Sequence, residues 1–455
     1  MENIIPTQLQ RKLGLFPITN IVIANMIGAG IFMTSGLLMN DIRNPLLMLL
    51  LWIIGGIIAL CGALSYGELG ANIPHAGGEY IFLSKLYHPL VGFLSGWISF
   101  IVGFSAPIAA SSIGFSEYFC RAFPQLIQLG NTIGITSPAL VKKILSIGII
   151  ILFTCIHLRG ISFGTVIQNY LTILKVAMIF ALLIAGFAFG RGNFQHIFQG
   201  DPFSFNFSGW KITGLSLMWI MFAYSGWNAS TYIGSEVKNP TKNLPLSLFL
   251  GTGIVILLYL LLNMLFIYAV PPAEMRGVVS IGGLAVANLF GTNMGILFSL
   301  FISFALFSSL SAYIILGPRI YYSMAKEGYF FKFVSAIDPR FAVPTKALFL
   351  QAAISIIMIL SGTFDQILTY MGFSLGIFPV IAVMGIFRLR YLKCQWRLPG
   401  YPVAQIFYLF TGISMLVLSF FERPVESSIA ILTMLAGIPA YILFRSKKNN
   451  TNHSD

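Results

Sequence analysis

Long apolar runs alternate with short polar connections along almost the whole chain. A spanning helix needs about 20 apolar residues to cross a hydrocarbon core of about 30 Å. By that criterion twelve runs qualify, at roughly 15–39, 46–70, 91–115, 139–158, 164–190, 211–234, 245–270, 281–324, 345–361, 366–390, 402–420 and 426–445. They are continuous, not alternating, so they predict helices and exclude a β-barrel. The eighth is long enough to leave the bilayer before Gly328. No soluble domain interrupts the runs. Met1–Leu13 is polar and lacks the small-residue cleavage pattern of a leader. The pattern predicts an all-α polytopic membrane protein with a short tail at each end, 1–14 and 446–455.

Two runs are interrupted. The first carries Asn25-Met26-Ile27-Gly28-Ala29-Gly30-Ile31-Phe32 near its middle. Hydrocarbon offers no substitute hydrogen-bond partners, so breaking a helix there is expensive. A turn at Gly28–Gly30 exposes the N–H groups of Ala29, Gly30 and Ile31, which favour an anion at the start of the following half-helix. The carbonyls of Met26 and Ile27 suit an ammonium. The competing reading is a small-residue patch for helix packing. The sixth run repeats the pattern at Phe222-Ala223-Tyr224-Ser225-Gly226-Trp227-Asn228. Carbonyls of Phe222, Ala223 and Ser225 can share the ammonium. Phe222, Tyr224 and Trp227 supply apolar wall, and Asn228 lies within reach of a polar group. An anion site and a cation site about one turn apart describe an α-amino acid zwitterion. Interruptions five spans apart point to an inverted repeat, 15–190 against 211–393, with the pair 402–445 appended.

Composition supports the membrane assignment: 57% of residues are hydrophobic, 9% are charged, and the mean hydropathy is +0.86. The net charge of +13 sorts by membrane side. With the N-terminus inside, eighteen of the 27 basic residues fall in inner connections and eight in outer ones. The charge is therefore a topology signal that puts both termini in the cytoplasm, and it implies no nucleic acid. Cys61, Cys120, Cys155 and Cys394 suggest no disulfide, and no cysteine–histidine spacing suggests a metal or cofactor.

Lys175 lies deep in the fifth run, where a charge costs about 2.5–3.5 kcal/mol on insertion scales. It is either a fixed ammonium bonded to the carbonyls of a broken helix or a proton carrier. The first role places a protein cation where a metal cation would sit, and either argues against sodium there. Glu68, Glu117 and Glu236 all lie near span ends, so the spans offer no carboxylate for a cationic side chain. A neutral substrate follows. His157, beside Arg159 at a span end, reads as structural. No nucleophile–base pair is present in the spans, so catalysis has no visible apparatus.

Four stretches together resemble a known family: Ile27-Gly28-Ala29-Gly30-Ile31-Phe32; Gly67-Glu68-Leu69 followed by Pro74 and Gly77-Gly78-Glu79-Tyr80; Phe222–Asn228 with Glu236-Val237-Lys238-Asn239-Pro240 after it; and Gly317-Pro318-Arg319-Ile320-Tyr321-Tyr322 ending at Ala325-Lys326-Glu327-Gly328. The chain resembles the amino acid–polyamine–organocation superfamily, and within it bacterial permeases close to the L-type amino acid transporters. The resemblance covers the first ten spans in order. It implies a leucine-transporter-like fold with helices 1 and 6 broken, and alternating access. It implies carboxylate binding at Ala29, Gly30 and Ile31, and ammonium binding by backbone around Met26, Ile27 and Phe222–Ser225. Phe222 matches an aromatic that covers the substrate, Asn228 a polar gating position, Lys175 a lysine that replaces a sodium ion, and Tyr313 a position near the substrate side chain. Ser225 departs from a frequent glycine. Cys120 precedes Phe123-Pro124 where animal members place a cysteine after such a pair, so no glycoprotein subunit is expected.

The expected activity is sodium-independent transport of neutral L-amino acids across the cytoplasmic membrane, by exchange. Proton coupling, a cationic amino acid or polyamine carrier, and a channel or membrane sensor are the competing readings. The last lacks both filter repeats and an output domain.

Overall fold

The computed structural model describes residues 11, 13–132, 137–158, 161–202, 206–338, 343–362 and 364–451. It is all-helical, with no strand among the described residues beyond two isolated bridges. Among the described residues, ten helical segments are long and apolar enough to cross a membrane.

The chain begins with α1 (Leu15–Met26) and α2 (Ala29–Ile42), two halves of one apolar segment. α3 (Pro45–Asn72) starts where the Asn44 side chain accepts from the Leu47 N–H at 2.9 Å, with proline at the first position. This satisfies one of the donors that a helix start leaves free. A short helix, α4 (Glu79–Leu86), leads to α5 (Pro89–Ala122), whose Ser99–Gly103 turn is a π-helix. After α6 (Gln125–Thr132) come α7 (Pro138–His157) and α8 (Ile161–Phe189). α9 (Phe207–Ala223) is capped by Asn206 and ends at the second interruption. α10 (Pro240–Ala269), α11 (Ile281–Phe290), α12 (Thr292–Lys326), α13 (Thr345–Ser361) and α14 (Phe364–Tyr391) follow, then α15 (Val403–Glu422), α16 (Pro424–Leu435) and α17 (Gly437–Thr451).

Several boundaries differ from those the apolar pattern predicts. The run 281–324 is two helices, because Gly291 at φ +95° turns the chain between α11 and α12. The run 426–445 is likewise two, parted at Ala436, and the last helix continues to Thr451, into the segment expected as a tail. The second half of run 211–234 is not an α-helix; it forms 3-10 turns at Ala229–Tyr232 and Gly234–Glu236. Apolarity averaged over a run measures lipid compatibility, and a short turn such as Gly291-Thr292-Asn293 does not lower that average enough to split the run.

α1 packs against α10 and α12, and α9 lies against α2, α14 and α15. The two interrupted segments therefore sit at the centre. Large apolar side chains such as Ile57, Ile184, Leu257, Phe349 and Phe410 stay exposed on the outside. Such a surface is costly in water and suits lipid. Serine and threonine are abundant inside, Ser35, Ser65, Ser112, Ser308 and Ser355 among them. Small polar side chains let helices approach closely and bond across the interface.

Candidate functional site

The first interruption is two residues long. α1 ends at Met26, Ile27 and Gly28 leave helical geometry, and α2 begins at Ala29 with Gly28 as its cap residue. No side chain caps that start. The N–H groups of Ala29, Gly30 and Ile31 accordingly belong to a first helical turn, which has no intrahelical acceptors. The second interruption is longer. α9 ends at Ala223, and Gly226 takes φ +98°, which favours glycine.

The two breaks interlock. A Cβ on Gly30 would lie 2.5 Å from Ala223 Cα, and one on Gly226 would lie 2.8 Å from the Asn25 carbonyl carbon. Both glycines permit close backbone approach, so helix packing and helix breaking are served by the same residues.

The carbonyls freed at the first break are all held by side chains from other helices. Tyr313 on α12 donates its hydroxyl to the Asn25 carbonyl at 2.7 Å. The Tyr259 hydroxyl on α10 lies between the carbonyls of Met26 and Ala223, 3.0 Å from the latter, and so ties one break to the other. Lys175 on α8 is 1% exposed. Its Nζ donates to the carbonyls of Ala24, at 3.3 Å, and Ile27, and to Ser309 Oγ at 3.1 Å. Ser309 on α12 donates to Ile27 as well, at 2.7 Å.

A cavity of about 100 Å3 opens beside the breaks. Asn25, Phe222, Ser225, Gly226, Trp227, Asn228 and Tyr313 line it, with Ile58, Met371, Leu375 and Tyr408 as apolar wall. It thus gathers Phe222, Ser225, Asn228 and Tyr313 from the sequence-derived set. Met26, Ile27, Ala29, Gly30, Ile31 and Ala223 are buried and do not line it, and Gly30 meets Ala223 where the breaks touch. Tyr224 turns away. It stacks edge-on against Trp52 at 5.6 Å, and its hydroxyl donates to the Trp52 carbonyl at 3.2 Å. The helix has just ended there, and the side chain follows the helical direction toward α3.

The cavity wall also contains a carboxylate, Glu79, at the start of α4. It is 6% exposed, and it accepts from Asn228 Nδ2 at 2.9 Å and from the Tyr232 hydroxyl at 3.4 Å. The spans themselves offer no such acid, but a connection that folds back into the bundle supplies one. The Gly77-Gly78 pair before it was the available signal: both have positive φ and turn the chain inward. Tyr259 and Ser309 carried no signal, because tyrosine and serine inside apolar runs are common.

On the face that carries the N-terminal segment, the second break is fastened to its surroundings. Leu13 bonds to Glu236 and Lys238 through backbone, and Gly77 N–H donates to the Tyr232 carbonyl at 3.0 Å. Arg319 on α12 pairs with Glu236 at 3.3 Å, and Tyr80 with Glu327. Glu68 pairs with Arg390 at 2.6 Å. His157 is buried and bonded to Ser311 at 3.0 Å, in keeping with a structural role.

The family model for amino acid permeases matches residues 13–444. The chain belongs to that family. Among curated relatives, this permease is 30% identical over 451 residues to the serine/threonine exchanger SteT of Bacillus subtilis, covering 97% of this chain and 98% of the relative. It is 28% identical to the b(0,+)-type amino acid transporter 1 of Mus musculus, over 96% of this chain and 88% of that protein. It is equally 28% identical to the human cystine/glutamate transporter, over 96% and 86%. The permease is a multi-pass membrane transporter and not an enzyme.

Proposed function

We propose that this permease exchanges neutral L-amino acids across the cytoplasmic membrane without sodium, by alternating access. The observation that carries the reading is the uncapped start of α2 at Ala29, set directly against the end of α9 at Ala223. The N–H groups of Ala29, Gly30 and Ile31 take the substrate carboxylate. Carbonyls around Met26, Ile27 and Phe222–Ser225 take the ammonium, and Phe222, Ser225, Asn228 and Tyr313 surround the side chain. Each carbonyl oxygen has two lone pairs, so an ammonium binds beside the hydroxyls already present. Because these groups are packed together here, substrate enters when α2 and α9 separate.

Lys175 supports sodium independence. Its ammonium is held by two backbone carbonyls and a serine hydroxyl, a set of oxygens that also suits a metal cation. The architecture proposed is twelve spans in a 5+5 inverted repeat, 15–190 and 211–393, with 402–445 appended and both termini cytoplasmic. No glycoprotein subunit takes part. A relative named as a serine/threonine exchanger supports antiport over proton coupling.

Counterflow into proteoliposomes tests the reading. Labelled serine, alanine or leucine accumulates only when an unlabelled amino acid is inside, with or without sodium. Uptake into empty vesicles driven by a pH gradient excludes obligatory exchange. A cationic substrate is the second reading, favoured by Glu79 in the cavity wall. Competition by arginine stronger than by alanine decides for it.

A further inference from the structure

Glu79 is a buried carboxylate that no ion pair holds among the described residues. A buried charge without a partner is expensive, and its hydrogen bonds show what it does. Asn228 Nδ2 donates to Glu79 Oε1 at 2.9 Å and to the Tyr232 hydroxyl at 3.3 Å. Tyr232 in turn donates to the same Oε1 at 3.4 Å, and Ser95 approaches Oε2 at 3.5 Å. Burial pushes the Glu79 carboxyl up to about 7; in its ionised form it accepts and never donates. It therefore turns the amide nitrogen of Asn228 toward itself, since the opposite orientation would set two acceptor oxygens 2.9 Å apart. The Asn228 oxygen then has no donor among the described residues, and Asn228 is half-buried in the cavity wall.

We propose that Glu79 is a positioning residue that holds the Asn228 amide with its oxygen toward the cavity, so that the permease prefers neutral amino acids with a side-chain hydroxyl. The inference rests on the neutral-exchange reading and specifies its substrate class. Glu79 acts through Asn228, with its Oε1 engaged by both Asn228 and Tyr232. Ser225 and the Tyr313 hydroxyl line the same cavity, but a hydroxyl rotates to donate or accept and discriminates less than a fixed amide oxygen.

The test uses the isosteric pair threonine and valine as competitors of labelled serine exchange, with full-length protein in proteoliposomes. Wild type favours threonine over valine by about three- to tenfold, the worth of one net hydrogen bond. Glu79→Gln offers both a donor and an acceptor, lets the amide turn, and brings the ratio close to one. Glu79→Asp keeps an acceptor-only partner and restores part of the preference. Asn228→Ala also removes it, and combining it with Glu79→Gln changes the ratio no further. A variant too inactive for exchange is read by ligand-induced thermal shift of the purified protein with each amino acid. If Glu79→Gln lowers exchange of both competitors equally and keeps the ratio, Glu79 is merely structural and the proposal fails. Wild type preferring arginine, with Glu79→Gln losing that preference, overturns it in favour of direct cation binding. Wild type that exchanges no amino acid removes the functional reading itself and this inference with it.

Discussion

The two helix breaks solve the same problem in different ways. At Ile27–Gly28 the interruption is two residues long, and an α-helix resumes at once. Its freed carbonyls are each held by a side chain from α8, α10 or α12. At Tyr224–Asn228 the chain never returns to an α-helix before Pro240. Its polar groups bond to connections, at Glu79, Gly77 and Leu13, and also to long helices, from Ala223 and Ser230 to α10 and from Glu236 to α12. The first break is anchored in three long helices and is suited to fixed geometry. The second is also joined to segments at one face of the bundle and is suited to transmitting movement. An alternating-access carrier needs both properties around one substrate.

The contrast can be broken most severely at Lys175. Lys175→Met removes three donated bonds and leaves the Ala24 and Ile27 carbonyls less satisfied, at about 1–3 kcal/mol for each unpaired group. Counterflow is expected to fall to roughly a hundredth of wild type or below, since a few kcal/mol is worth that factor. Full activity would show that the first break needs no such anchor. Gly30→Val comes next. Its Cβ would collide with Ala223 backbone, force the breaks apart, and cost about 1–3 kcal/mol as overpacking does. Purified protein should melt several degrees lower, and serine should no longer raise its melting temperature.

Tyr259→Phe sharpens the comparison, because it cuts a hydroxyl that bonds carbonyls of both breaks. A stability loss of about 1–3 kcal/mol is expected by denaturant or thermal unfolding, larger than for Tyr232→Phe at the second break. Equal losses would erase the distinction drawn here. The smallest effect belongs to Arg319→Gln, at the Arg319–Glu236 pair. Stability changes by about 1 kcal/mol or less, but the rate of exchange shifts because a tie between α12 and the second break is gone. An unchanged rate would argue that this face does not gate.

Much of this was legible in the chain. Gly28 and Gly226 mark both breaks because they recur at matching places five spans apart, whereas Gly55 and Gly251 lie in unbroken helices, and the depth of Lys175 marks a site of special bonding. The reach of Glu79 into the cavity was not legible. Glutamate at the edge of a connection looks solvent-exposed until the turn at Gly77–Gly78 folds it inward. The placement of Tyr224 also escaped, since two residues decide whether a side chain at a helix end faces the cavity or α3.

The sequence by itself determined that this protein spans a membrane many times, that two of its spans are broken, and that it is a permease. Those properties follow from local composition and short motifs, which act over a few turns of helix. Only the tertiary structure decided which groups fill the broken ends and which carboxylate reaches the cavity. Tyr259, Tyr313, Ser309 and Glu79 meet the breaks from positions 36 to 288 residues away. A hydrogen bond across that separation depends on how whole helices pack, and the local pattern does not encode it.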